Sequence, residues 1–184
     1  GGSFGYITPS LRHWQSLGER TRLSVDANYQ RANGEYPFEL KNGQLITEEK
    51  RINTDIESIQ GEANLFHTFQ DESELNVKTY YFHSQRGLPG AVILYNNESD
   101  ERLWDDNFFA QARYKKVFNP KWTLQAQGKY NYSWNKYEDK GAEYVGGKQT
   151  DTNRQKEYYL SASVLYQPAK GWSLSLSQDG FINK

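Results

Sequence analysis

Lys121-Trp122-Thr123-Leu124-Gln125-Ala126-Gln127-Gly128-Lys129-Tyr130-Asn131-Tyr132-Ser133-Trp134-Asn135 alternates without an error. Every even position is apolar, small or aromatic, and every odd one is polar. Successive side chains of a β-strand point to opposite faces, so this is one long strand with an apolar face and a wet face. Trp122 stands at one end of the apolar face and Leu124, Ala126 and Gly128 in its middle. Tyr130, Tyr132 and Trp134 stand at the other end. About twelve residue steps of roughly 3.4 Å, tilted by about 40°, rise on the order of 30 Å. That matches the hydrocarbon thickness of a bilayer, with aromatic rings at both interfaces. A soluble sheet would favour Leu, Ile and Val on its covered face, in strands about half as long.

Composition points the same way. Only 36% of the 184 residues are hydrophobic and the mean hydropathy is −0.94, values that in isolation suggest disorder. Yet 14 Tyr, 9 Phe and 5 Trp make the chain rich in rings. A transmembrane barrel reconciles the two, because only one face of each strand must be apolar and the loops can be entirely polar. A net charge of −1 gives no electrostatic footprint for nucleic acid. No apolar run approaches the length of a membrane helix. Cysteine is absent, which removes disulfides, thiol nucleophiles and Cys-based metal sites. The chain opens on Gly1-Gly2-Ser3 and has no methionine, which suggests a processed or excised piece.

The two-face pattern recurs along the chain. Leu23, Val25, Ala27 and Tyr29 alternate with polar residues, as do Ile59, Gly61, Ala63 and Leu65. Leu75, Val77, Thr79 and Tyr81 follow, then Phe108, Ala110, Ala112 and Tyr114. Tyr158 to Tyr166 and Trp172 to Leu176 close the series. With a weaker segment around Gly5 to Trp14, interrupted by Pro9, this predicts about eight strands and no helix. Short connections (15–20, 67–73, 118–121, 167–171) alternate strictly with long ones (31–54, 85–106, 136–154). Short turns on one side and long loops on the other belong to outer-membrane barrels. The expected fold is all-β: an antiparallel up-and-down meander of about eight long strands, part of a transmembrane β-barrel.

Chemistry-bearing clusters are sparse. Asn96, Asn97, Glu98, Asp100, Asp105 and Asp106 gather in one long segment, and hard oxygen ligands suit calcium. Their spacing matches no calcium loop and Arg102 sits among them, so the plainer reading is a solvated acidic loop. His13, His67 and His83 share no metal-ligand spacing. No catalytic triad can be assembled, and an enzyme is not expected. The candidate ligand contacts are aromatics of the long segments: Tyr36, Phe38, Tyr95, Trp104, Tyr137 and Tyr144. They offer large apolar area at low entropic cost, suited to a corrinoid, haem or glycan. The plainer reading places Trp104 and Tyr137 in the outer aromatic girdle and has the others bracing loops. Arg86 could meet an anionic ligand group, while Arg86-Gly87-Leu88-Pro89-Gly90 sets a fixed loop take-off.

Three motifs add a resemblance. Gly2-Ser3-Phe4-Gly5, Gly34-Glu35-Tyr36-Pro37-Phe38 and Arg86-Gly87-Leu88-Pro89-Gly90-Ala91-Val92 resemble the barrel of TonB-dependent outer-membrane receptors. The nearest likeness is the cobalamin-receptor-like branch of Bacteroidetes. The resemblance implies a barrel of about 22 strands around an N-terminal plug. Such a receptor sits in the Gram-negative outer membrane among its lipids and imports a scarce nutrient with energy passed through TonB. It also implies a small-molecule ligand, with a corrinoid first and a siderophore or glycan next, no bound cofactor, and loops that calcium can order. Residues 1–184 would then be a single barrel segment lying just after the plug, with the plug and the remaining strands outside it. Two other classes stay open. One is a complete eight-stranded outer-membrane barrel serving as adhesin, anchor or enzyme. The other is a soluble β-barrel or sandwich binding module.

Overall fold

The computed structural model describes residues 3–92, 99–141 and 145–184. Ten strands are formed: β1 (Ser10–Ser16), β2 (Thr21–Ala32), β3 (Tyr36–Asn42), β4 (Leu45–Arg51), β5 (Ile56–Thr68), β6 (Glu74–Leu88), β7 (Glu101–Asn119), β8 (Trp122–Asp139), β9 (Gln149–Tyr166) and β10 (Leu174–Asn183). Eight of them make one sheet in the order β1-β2-β5-β6-β7-β8-β9-β10, and β3 and β4 form a separate hairpin. All pairings are antiparallel. The expected meander is what the chain adopts, with one 3-10 turn at Ser3–Gly5 as its helical content among the described residues.

Register decides which side chains share a face. Leu23, Leu65, Val77, Ala112, Gly128, Leu160 and Gly180 lie directly opposite one another in a row across seven strands. The neighbouring row reads Ser24, Asn64, Lys78, Gln111, Lys129, Tyr159 and Phe181 and points the other way. Trp122, Leu124, Ala126, Tyr130, Tyr132 and Trp134 therefore share a face with Ala110, Ala112, Leu160, Ala162, Leu174 and Leu176. Gln125, Gln127 and Lys129 share the other. On the apolar face the strips 21–29, 59–67 and 158–166 carry no carboxylate, lysine or arginine. Each is about nine residues long, the length of a tilted membrane strand. Stacked Trp122 and Tyr166 (4.3 Å between rings) mark the turn-side rim. Tyr130 and Tyr158 (5.1 Å) mark the loop-side rim.

No hydrophobic side chain among the described residues is buried; Leu160 and Leu176 are 69% and 77% exposed. The sheet has no second layer, so the soluble sandwich with an apolar interior is not what this sequence folds into. Nor do the eight strands close on themselves, because β1 and β10 are the two free edges of the sheet. Asx-type turns pin the short connections. Asn119 accepts from the amides of Lys121 and Trp122 at 2.9 and 3.1 Å. Asp71 accepts from Ser73 Oγ at 2.6 Å and pairs with Lys116 at 2.7 Å. Those donors hold the Asp71 carboxyl well below the usual carboxylate range.

The long segments differ from their sequence reading. Residues 31–54, read as one loop, carry the β3–β4 hairpin. Its two-residue turn is Gly43-Gln44 between the paired Asn42 and Leu45, with Gly43 at φ 62°, and glycine at the first position favours tight hairpins. Much of 85–106 and 136–154 is strand, since β6 runs to Leu88, β7 starts at Glu101, β8 runs to Asp139 and β9 starts at Gln149. Beyond the rim both faces are wet, so the strand continues while its two-residue signal disappears. At the start, β1 begins at Ser10 after Pro9, and it places Leu11, His13 and Gln15 on the apolar face and Trp14 on the polar one. Trp172 lies in a turn, and β10 begins at Leu174.

Candidate ligand-binding mouth

The strand ends that pass the loop-side rim, together with the hairpin, form the mouth. Its centre is Asn53, at φ 55°, a left-handed conformation that Asn tolerates. Asn53 Nδ2 donates to the carbonyls of Leu88 (3.0 Å) and Glu101 (2.8 Å), the last paired residues of β6 and β7. Gly87 passes so close to the Asn53 backbone that a Cβ there would collide with it. Arg51, buried at the end of β4, donates to the Gly90 carbonyl. Arg102 clamps Asp55 with two bonds, at 3.1 and 2.7 Å. At the hairpin's base Gly34, φ 66°, lies against the Thr54 carbonyl with no room for a side chain. The hairpin is thus fixed to the ends of β6 and β7 by Arg51 on its return strand, by Asn53 just after it and by the Arg102 clamp on Asp55.

The sequence-derived candidates distribute as follows. Tyr36 and Phe38 lie on one face of β3 with ring centres 6.3 Å apart, and Phe4 packs edge-on against Tyr36 at 6.0 Å. Phe4 and Tyr36 remain 53% and 41% exposed, so this row of three rings is open to a ligand. Arg86, Leu103, Tyr137 and Asp151 make one row on the polar face. Arg86 pairs with Asp105 at 3.4 Å, and the Tyr137 hydroxyl donates to Glu101 at 2.8 Å. Tyr137 is therefore on the polar wall and not in the girdle. Trp104 is on the opposite, apolar side, in the row next to Trp134 and under the Lys136 ammonium at 4.6 Å. Tyr95, Tyr144 and Glu98 lie outside the described residues.

The remaining calcium candidates do not converge. Asp105 and Asp106 are consecutive in β7 and point to opposite faces. Asp105 is engaged by Arg86, and Asp106 by His83 at 2.7 Å and Tyr81 at 3.1 Å. Asp100 stands outside the strand. Among the described residues no cluster of three or more potential ligands forms.

Electrostatics separate the two faces at the mouth. The polar wall carries Glu101, Asp105, Asp139, Asp151 and Glu157, with Arg86 as its cation. Most of these carboxylates accept from neutral donors, as Asp151 does from Gln149 (3.0 Å) and Glu157 from Gln155 (2.9 Å). Deeper in the wall Tyr80 stacks on Phe109 at 5.3 Å, and Lys129 lies over the Phe109 ring at 4.9 Å. These inward rings escaped the sequence reading. Their signal was the run Tyr80-Tyr81-Phe82 and the pair Phe108-Phe109, since adjacent aromatics in a strand must occupy both faces.

Neither a protein-family model nor a curated protein sequence matches the chain. Among solved structures it is similar to the ferric-catecholate import receptor Fiu from E. coli K12 in its open form. The TM-score is 0.54 and the identity 11%, over 94% of this chain and 34% of that one. The likeness is one of fold, and the chain spans about a third of that receptor: its eight-stranded sheet is shaped as an arc of a β-barrel.

Proposed function

We propose that the chain is the wall of an outer-membrane, TonB-dependent receptor barrel that carries a large, scarce nutrient across the Gram-negative outer membrane. The carrying observation is the division of one sheet. Between two aromatic rims the described residues of one face carry a single charge, Lys116, which reaches Asp71 at the turn side; no layer covers that face, and the other face is predominantly polar with scattered rings. Such a sheet is stable where lipid covers the first face and water or a plug covers the second. The fold-level similarity to an import receptor supports the same class. In this reading the protein works by binding and translocation rather than catalysis, with its own plug and TonB as partners.

The ligand meets the loop side, where Phe4, Tyr36 and Phe38 offer rings and the wall offers carboxylates. A wall rich in Glu and Asp disfavours a polyanion and suits a large ligand of little net charge. On this ground the corrinoid expected from the loop motifs stays first. A glycan is compatible, and a ferric catecholate such as Fiu imports would need cations from other parts of the barrel. Calorimetry of the full-length receptor with a cobalamin, with and without calcium, tests the assignment. Micromolar or tighter binding is expected; its absence in both conditions removes the corrinoid and leaves the receptor class. Unchanged uptake of every tested ligand after removal of 31–54 would remove the binding role of the hairpin.

A further inference from the structure

On the apolar face, the rows just past the loop-side rim change character abruptly. Lys156 stands opposite Tyr132 and Arg154 opposite Trp134, and Lys184 pairs with Lys156 through reciprocal backbone bonds of 2.8 and 2.9 Å. All three are exposed, and none has an acidic partner among the described residues. One step further, Lys136, Lys140 and Lys148 surround a single carboxylate, Glu138, at 2.7, 3.6 and 2.8 Å. Along β8, β9, β10 and their ends six cations thus share Glu138, while Asp106, in the row of Trp134 and Arg154, is engaged by His83 and Tyr81 on its β6 side. At the same register the opposite face carries Asp139, Asp151 and Glu157. Along β9 strand alternation has sorted the charges by face, with Arg154 and Lys156 outward and Asp151 and Glu157 inward where the strand leaves the aromatic band.

We propose that this outward cluster binds the phosphate groups of anionic lipids in the leaflet on the loop side. This rests on the membrane reading of the apolar face. Aromatic rings place Tyr132 and Trp134 at the headgroup boundary, and the adjoining cations meet the next layer outward. Glu138 holds three lysines together as a donor platform, while Arg154, Lys156 and Lys184 keep their charge free for phosphate. Lysine stems lie along the rim and extend their ammonium groups away from hydrocarbon.

The test uses the full-length protein in phosphatidylcholine vesicles containing increasing brominated phosphatidic acid or, separately, brominated phosphatidylcholine. Bromine quenches the tryptophans of the apolar face. Wild type should be quenched by both, with preference for the phosphatidic acid. Each cation near an anionic surface contributes about fivefold, so R154Q/K156Q/K184Q should cut the preference by on the order of a hundredfold. K129Q, on the opposite face, should leave it intact. Quenching by both lipids without preference in wild type overturns the phosphate site and leaves the membrane face standing. No quenching by either overturns both. Loss of the preference on adding millimolar inorganic phosphate at constant ionic strength overturns the lipid assignment in favour of free phosphate.

Discussion

Leu160 and Ser161 are neighbours in β9 at nearly the same height, and replacing each by arginine tests the division of the sheet most directly. Leu160 stands between Gly128 of β8 and Gly180 of β10, and its Cδ2 lies 3.1 Å from where a Cβ on Gly128 would sit. It covers two residues without side chains in the middle of the uncharged band. An arginine at the midplane of a lipid-facing barrel strand costs about 2–4 kcal/mol. Ser161 faces the wet side, where an arginine gives up the serine's hydrogen bond to Asp179 but sets a cation opposite that carboxylate, so the net cost stays within about 0.5 kcal/mol. With a guanidinium m-value of about 3 kcal/mol/M, Leu160→Arg should lower the unfolding midpoint by about 0.7–1.3 M and Ser161→Arg by less than 0.2 M. Unfolding in lipid vesicles, followed by tryptophan fluorescence, reads both. Equal losses would refute a division by face. A larger loss at Ser161 would mean that the polar face is the covered one.

Asn53→Ala should cost about 1–3 kcal/mol, since it strands two carbonyls at the end of the β6–β7 ladder, and hydrogen exchange should speed locally near Gly87. Unchanged exchange there would show that the clamp does not hold the mouth. Gly87→Val should loosen the same junction by steric conflict with Asn53, and Ser84→Val, one turn of the pleat away, should not affect the amide of Gly87. Glu138 is held down to about 2 by hydrogen bonds from Lys136 and Lys148. Its depressed folded value means its contribution is complete above the ordinary carboxylate value and is lost as pH falls from about 4.5 toward 2. The stability gap between wild type and Glu138→Gln should therefore be constant at neutral pH and close over that acid window; a gap that persists at pH 2 would contradict it. Prepared alone, residues 1–184 have two free edges and a broad apolar face, so they should associate or require detergent. A monodisperse monomer in plain buffer would contradict the membrane reading.

What was legible in the sequence was whatever the apolar band dictates. Between Trp122 and Trp134 every second residue must suit one environment and its neighbour another, so the letters alternate and the strand can be read residue by residue. The same holds for 23–29, 59–65, 75–81, 108–114 and 158–166, and the register confirms a shared face for all of them. Where β7 and β9 extend past the rim, at 101–107 and 149–157, both faces are wet. Selection for two-sided polarity removes the period, and strand reads as loop. The β3–β4 hairpin is a different case: Tyr36, Phe38 and Leu40 alternate with Pro37, Glu39 and Lys41, and Gly43-Gln44 makes its turn. Its signal was present but short.

The mouth was less legible because its bonds join residues far apart in the chain through backbone groups. Asn53 to Leu88, Arg51 to Gly90 and Arg102 to Asp55 leave no spacing that a single sequence displays. The candidate aromatics were chosen as loop residues, without a face, and the face decides their use. Register puts Tyr137 on the polar wall beside Arg86 and Trp104 on the far side beside Lys136. The same alternation that sends Glu157 inward sends Lys156 outward. One pleat therefore sets both surfaces of the mouth: carboxylates and rings for a ligand on one side, ammonium groups for the headgroup layer on the other. Inserting a single residue in β9 between Glu157 and Tyr158 would exchange the faces of everything from 149 to 157. It should weaken ligand binding and lipid selectivity together, while a point substitution on either face should affect only one.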